Sequence, residues 1–170
     1  MVQLYDNIAS GAIASWDVSG ISQAYNHLML VVSGRTDAVI SDQPARIRFN
    51  NDSGAVYDSQ RFVAFAAGNQ ASEELGAAVG ARFGWFTGTT ALANYPGACD
   101  LMIPNYTGTV FDKAFASKGS STYTTTTQGQ QVNIVSGHWR GGTAAINRIT
   151  ILPDAGNFIT GSRLTIYGLL

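Results

Sequence analysis

The sequence has few of the features that mark secreted or membrane proteins. Cys99 is the single cysteine, so no internal disulfide can form and no oxidising compartment is implied. No apolar run approaches the roughly 20 residues of a membrane-spanning helix. The stretch 1–7 alternates like a strand and lacks the basic start and apolar centre of a secretion signal. We therefore expect no membrane contact and no export step.

Charge is also scarce. Only 12% of the residues are charged, against roughly 25% in a typical soluble domain, and the formal net charge is −1. Lysine occurs only at 113 and 118, and glutamate only at 73 and 74. The basic patch that nucleic-acid binding requires is missing. A surface of Ser, Thr, Asn, Gln and Gly suits contact with other protein, so we expect a homo-oligomer that binds no nucleic acid.

The chain does contain many short segments in which apolar and polar residues alternate. Ala45, Ile47 and Phe49 alternate with Arg46 and Arg48, which places both arginines opposite the core. Turn residues recur every ~8–15 residues, which is typical of a β-sandwich. The predicted strands are 2–8, 12–18, 27–34, 45–50, 55–57, 61–65, 79–86, 97–103, 110–118 and 131–136, with two more in 136–170.

These patterns predict an all-β fold: one β-sandwich domain over residues 1–170, jelly-roll-like, with at most one short helix at 68–76. In strand 27–34 both faces are apolar, so we expect both to be covered. The polar segment 119–129 is expected to form an exposed edge or a protruding loop. Near the C-terminus, two glycines flank Phe158, which is expected to anchor the connection between the last two strands.

Residues able to carry chemistry are few and scattered. His27 begins a core strand and is expected to be structural, whereas His138 is expected in a loop without a Gly-x-Ser-x-Gly elbow nearby. Cys99 is in phase with buried positions and is expected to be an inert thiol. The segments from Asp37 to Asp42 and from Asn50 to Asp52 could offer oxygens to calcium, as an alternative to turn capping, but they lack the spacing of an EF-hand. We predict no catalytic residue, no metal and no cofactor, and hence no enzyme.

Two kinds of side chain are candidates for contact with a ligand or partner. A tryptophan beside polar loop residues could stack on a sugar ring; the alternative is that Trp139 plugs the end of the sandwich while Arg140 caps a carbonyl or pairs with Asp154. Arginines opposite the core could form a docking face, since arginine is enriched at interfaces, or could simply be solvated. The candidate contact residues are Trp85, His138, Trp139, Arg140, Arg46 and Arg48.

One pattern in the chain resembles a known family. It runs Gly137-x-Trp139, Ala145-Ile146-x-x-Ile149-x-Ile151, Gly156-Asn157-Phe158-x-x-Gly161-Ser162 and Leu164-x-x-Tyr167-Gly168, with Ile103-Pro-Asn-Tyr106 and, more loosely, 25–37 and 47–50. This resembles the C-terminal signature of small structural proteins of tailed bacteriophages. The resemblance covers about half of the chain and leaves out 68–96.

The resemblance implies a jelly-roll-like virion component without enzymatic activity, assembled in the host cytoplasm. We expect a capsid decoration or cement protein that stabilises the head as an oligomer, with a trimer as the expected order. Its partners would be copies of itself and the major capsid protein or other virion proteins. The alternative is a carbohydrate- or receptor-binding module of a tail fibre, which would use Trp85 and Trp139 to hold a glycan.

Overall fold

The computed structural model describes residues 1–77, 79–124 and 129–170. In these ranges every regular element is a β-strand, and none is a helix that could cross a membrane. The strands, numbered in chain order, are β1 Val2–Ile8, β2 Trp16–Ser19, β3 His27–Gly34, β4 Asp42–Phe49, β5 Tyr57–Phe65, β6 Gly68–Ala77, β7 Ala81–Thr87, β8 Gly97–Ile103, β9 Lys113–Thr122, β10 Gln130–Trp139, β11 Arg148–Pro153 and β12 Arg163–Leu169.

The strands form two antiparallel sheets. The larger sheet has eight strands in the order β1-β12-β3-β8-β9-β10-β5-β6, and the smaller has four in the order β2-β11-β4-β7. The first strand pairs with the last, and β11 and β12 lie in different sheets although they are consecutive. The all-β sandwich predicted from the sequence is confirmed.

The core lies between the two sheets, where the inward faces of their strands meet. Leu28, Leu30 and Val32 of β3 are fully buried there, as are Ile47 and Phe49 of β4. The alternation in the sequence predicted these positions because successive strand residues point to opposite faces.

The connection from β11 to β12 is held in place by Phe158, as predicted. Its ring is fully buried and lies 4.6 Å from the Trp16 ring and 5.5 Å from the Phe86 ring, centre to centre. Gly156 and Gly161 have positive φ angles of 73° and 87°, which favour glycine at both turns around the anchor.

The segment 68–76, where at most one short helix is expected, forms β6 instead. A two-residue turn joins it to β5, and Gly68 pairs directly with Phe65. The helix-forming residues Ala71, Glu73 and Glu74 are overridden by the ladder of hydrogen bonds that this hairpin provides.

Two other expectations differ in detail. The strand predicted from 110 begins at Lys113, and Val110 and Phe111 are each 74% exposed in the preceding loop. Strand β9 continues to Thr122 and lies between β8 and β10, so this part of 119–129 is an interior strand and not an edge. Residues 125–128 lie outside the described part of the chain.

Candidate functional site

Arg46 is buried among polar partners. Its side chain is 10% exposed, and its guanidinium donates to Glu74 at 2.7 and 2.9 Å, to the Gly80 carbonyl at 2.6 Å and to the Asp154 carboxylate. Arg82 also binds Asp154, at 2.8 Å. This ion cluster connects β6, at the edge of the larger sheet, to β4 and β7 of the smaller sheet.

The prediction that Arg46 is available to a partner is therefore wrong for this chain. Arg46 alternates with Ile47 as the pattern requires, but Glu74, Gly80 and Asp154 cover the position. Arg48, two residues further along β4, stays half-exposed and donates to the Val79 carbonyl at 2.9 Å. The two arginines thus have different surroundings and do not form a common docking face.

Trp139 closes one end of the sandwich. The residue is 2% exposed, its ring lies 5.8 Å from that of Phe49, and its Nε1 donates to Asp52 at 2.8 Å. The sequence left two interpretations open, a Trp139 that stacks on a sugar and a Trp139 that fills the end of the sandwich. The geometry supports the second. Arg140 is exposed and pairs with Asp58, not with Asp154 as the sequence suggested.

Trp85 is also covered. The residue is 6% exposed, and the guanidinium carbon of Arg61 lies 3.7 Å from the centre of its ring. A sugar ring stacks on an open aromatic face, and neither Trp85 nor Trp139 offers one. A glycan site on these two rings therefore finds no support.

His138 lies in β10 and not in a loop. Gly137 beside it is required by packing: a Cβ at that position would lie 2.1 Å from the Phe115 ring. The glycine therefore allows the strand to continue close to the core, and the imidazole of His138 points to solvent. The loop was predicted because this stretch is rich in glycine, and that prediction is wrong.

Among the described residues, neither histidine is hydrogen-bonded to a carboxylate or a hydroxyl in the manner of a catalytic pair. His27 accepts a hydrogen bond from the Asn105 backbone N–H at 3.0 Å, as expected of a structural histidine. His138 shares a shallow depression of about 270 Å³ with Asp58 and Ser136, but no hydrogen bond within the described residues joins it to either. The Asp58 carboxylate is already occupied by Arg140 and the Gly76 N–H.

The sites considered for calcium serve as turn caps. Asp37 accepts hydrogen bonds from the backbone and side chain of Asn157 at 2.6 and 2.8 Å, and Asp52 accepts from the Gly54 N–H at 2.8 Å. Across the described ranges, no group of three or more His, Cys, Asp or Glu side chains could hold a metal ion. Cys99 is buried, and burial raises its pKa to about 12, so the thiol stays neutral as predicted.

Acid is expected to destabilise the fold. Hydrogen bonds from Arg148 lower the pKa of Asp17, those from Asn157 lower that of Asp37, and those from Arg46 lower that of Glu74. A carboxyl with a lowered folded-state pKa adds stability that is complete above its unfolded pKa and is lost as the pH falls through the folded value. Thermal melts should show a constant Tm down to about pH 5 and a decrease below about pH 4. A Tm that stays constant to pH 2 would contradict this.

The outer face of the larger sheet, which points away from the smaller sheet, carries exposed apolar side chains on both sides of one central ion pair. Strands β3, β8, β9 and β10 carry only two outward formal charges, Lys118 and Asp100, and these pair at 3.6 Å. We call its exposed apolar residues the outer patch: Val31, Met102, Val132, Ile134 and Phe62 of β5, with exposed fractions of 37, 38, 55, 54 and 46%.

The patch combines a ridge with a hollow. Ile134 lies directly opposite Phe62, and the two form the ridge with Val132. On the other side of Val132, the small residues Ala98 and Gly119 help to line a hollow of about 360 Å³. A ridge beside a hollow is a shape into which a second protein surface can interlock.

Strand β10 has the reverse of the usual polarity of a sandwich strand. Gln131 and Asn133 are buried, at 4% and 1% exposed, whereas Val132 and Ile134 face outward. The strand was predicted from the sequence without the direction of its faces, so the outer patch was not predicted. In β3, Val31 is 37% exposed, although the apolar run predicted that both faces are covered.

Comparisons with known proteins add no relative. A scan of protein-family models finds none that matches the chain, and a search of curated proteins finds no matching sequence. The function is therefore inferred from the geometry of the chain itself.

Proposed function

We propose that this chain is a non-enzymatic structural component of a tailed-phage virion: a capsid decoration protein that stabilises the head through oligomeric contacts. The observation that carries the proposal is the outer patch. Val132 and Ile134 point outward from β10 while Gln131 and Asn133 are buried behind them, and Val31 points outward from β3. Exposed apolar surface around a single ion pair is typical of a surface that is covered by protein in its working state.

The size of the outer face supports a stable contact. Eight strands about 4.8 Å apart and about eight to nine residues long span roughly 1,000 Å², at about 3.3 Å per residue. A standard protein interface buries about 800 Å² on each partner. The face is therefore large enough for one specific interface.

We assign the outer patch to copies of the same chain. The ridge and the hollow lie side by side, so the ridge of one copy can enter the hollow of another, and Lys118 and Asp100 supply both charge signs. Closed symmetry would repeat this contact in every subunit, and a trimer is the order that we propose.

The contact with the major capsid protein is assigned to β1. This strand forms one edge of the larger sheet and pairs with β12 on its inner side. Val2 and Ile8 on it are 49% and 54% exposed. An open strand edge can extend the sheet of a neighbouring protein by strand addition. The chain would then bridge capsid subunits from outside and resist internal pressure.

A matched pair of valine substitutions tests the assembly. Val132→Lys should convert the oligomer to a monomer, because it places a charge in the apolar interface without disturbing the core. Val110→Lys is the control, since Val110 is 74% exposed in a loop away from the patch. Light scattering gives the mass of each variant against the chain mass of 18.0 kDa. A monomeric wild-type protein, or equal masses for both variants, would contradict the assignment.

Binding to heads tests the virion role. Purified protein should co-sediment with phage heads that lack it and should raise the temperature at which those heads release DNA. A truncation that removes residues 1–8 should abolish co-sedimentation with the heads. It should leave the number of subunits in the oligomer unchanged. Sedimentation of the full-length protein apart from the heads would refute the decoration role.

A further inference from the structure

A second surface of the chain has the features of a ligand site. It is a cleft of about 280 Å³ lined by β5, β6 and β10 of the larger sheet and by the first residue of β4 in the smaller sheet. Its volume is close to the lower end of small-molecule sites, about 300 Å³. Polar and aromatic side chains line it: Asp42, Arg61, Val63, Phe65, Gln70, Tyr123 and Gln131.

Arg61 is fixed in this cleft by neutral groups. Its Nε donates to Asn133 Oδ1 at 2.7 Å, its Nη2 donates to Gln131 Oε1 at 3.3 Å, and its guanidinium lies on the Trp85 ring. Burial lowers its pKa, and no carboxylate of the described residues pairs with it within 4.0 Å. Arg46, by contrast, pairs with two carboxylates, those of Glu74 and Asp154.

Gln131 connects Arg61 to an acid. Its Nε2 donates to Asp42 Oδ2 at 2.7 Å and to the Ser121 hydroxyl at 2.7 Å, while its Oε1 accepts from Arg61. Gln131 is 4% exposed, and its hydrogen bonds to Asp42 and Arg61 hold these two side chains at a fixed distance from each other. Pre-organisation of this kind lowers the cost of binding a ligand.

One donor and one acceptor remain open toward the cleft. Arg61 Nη1 has no acceptor among the described residues, and Asp42 Oδ1 has a single weak contact, to the Ser41 hydroxyl at 3.5 Å. Each hydroxyl of a sugar donates one hydrogen bond and accepts others. Two neighbouring hydroxyls can therefore satisfy both open positions at once.

The other wall of the cleft is aromatic. The rings of Phe65 and Tyr123 lie 5.1 Å apart and are partly exposed. An aromatic wall facing a polar pair matches a pyranose, which has an apolar C–H face and a rim of hydroxyls. The formal charges of Arg61 and Asp42 cancel, so the cleft favours a ligand without net charge.

From this geometry we propose that the cleft binds one ring of a neutral saccharide, with its hydroxyls on Asp42 and Arg61 and its ring against Phe65 and Tyr123. This site is distinct from the tryptophans that the sequence suggested. It is also independent of the outer patch, so the chain could bind a glycan whether or not it decorates a head.

The test is an NMR titration of the full chain labelled with ¹⁵N. Glucose, galactose, mannose and N-acetylglucosamine are the neutral probes, and glucuronate is the charged one. At least one neutral probe should shift the Arg61 Nε–H and Gln131 side-chain resonances at millimolar concentration. Absence of a shift with every neutral probe, or tighter binding of glucuronate than of all of them, would overturn the proposal.

Two matched pairs of variants assign the site. Asp42→Asn and Phe65→Ala should each weaken binding about tenfold or more. Their controls, Asp112→Asn and Phe111→Ala, alter exposed residues of the loop before β9 and should bind like the wild type. If Asp42→Asn lowers the Tm, its weaker binding could come from a weakened fold, and the site is then assigned from Phe65→Ala alone. Equal affinities for Phe65→Ala and Phe111→Ala would overturn the assignment. Loss of sugar binding in these variants should leave the oligomer mass unchanged.

Discussion

Replacing Arg46 with alanine is expected to lower the free energy of unfolding by about 3–5 kcal/mol, the usual cost of removing one partner from a buried ion pair. The substitution leaves Glu74 and Asp154 close together without their shared cation. It also removes the donor to the Gly80 carbonyl. Because the cluster links the two sheets, β6 should detach first.

The neighbouring Arg48 provides the control. Its side chain is half-exposed and donates to one backbone carbonyl, so Arg48→Ala should cost less than about 1 kcal/mol. Urea denaturation of both variants gives the two free energies. Equal values would show that burial of the Arg46 cluster contributes nothing to stability. Hydrogen exchange should also show faster exchange of β6 amides in Arg46→Ala.

Trp139→Ala is expected to have a similarly large effect, about 3–5 kcal/mol, because it opens a cavity at the end of the sandwich. It also removes the hydrogen bond that Asp52 accepts from the indole N–H. Loss of ligand binding in Trp139→Ala would therefore not identify a sugar site, since the fold itself is weakened.

The matched substitution is Trp139→Phe, which keeps one six-membered aromatic ring in the core but loses the pyrrole ring and its N–H. It should cost about 1–3 kcal/mol, the usual price of one unsatisfied buried acceptor. Thermal melts give both values. A Trp139→Ala protein with the wild-type Tm would mean that the ring is not part of the core.

Periodicity predicted much of the fold. The bounds of β1, β3 and β8 match the predicted strands, because in each of them the alternation is bounded by clear turn residues. The buried positions of β4 followed from the same rule. Phe158 was predicted as an anchor because the glycines on either side can take the φ angles that its turns require.

The Arg46 ion cluster and the surfaces formed by β10 were not predictable from periodicity. Alternation places Arg46 opposite Ile47 but says nothing about Glu74 and Asp154, which reach it from distant parts of the chain. In β10 the alternation alone does not show that Asn133 and Gln131 are the buried residues, which hold Arg61 of another strand. Such long-range polar pairs leave no periodic signal in the sequence.

The two inferred surfaces follow from the same reversal in β10. Burying Gln131 and Asn133 builds the polar wall behind the cleft. The same strand geometry turns Val132 and Ile134 outward into the outer patch. A decoration protein can use both, one surface for assembly and the other for contact with a glycan outside the particle.

Methionine oxidation tests the central claim, that the outer patch is covered by another copy. Met102 lies in the patch, whereas Met1 is 75% exposed at the chain start and serves as the internal reference. Peroxide converts exposed methionine to the sulfoxide, which mass spectrometry quantifies at each site. In the wild-type protein we expect Met102 to be oxidised much more slowly than Met1. In Val132→Lys we expect the oxidation rate of Met102 to be close to that of Met1. The same Met102 rate in both proteins would show that the patch is open and would contradict the account.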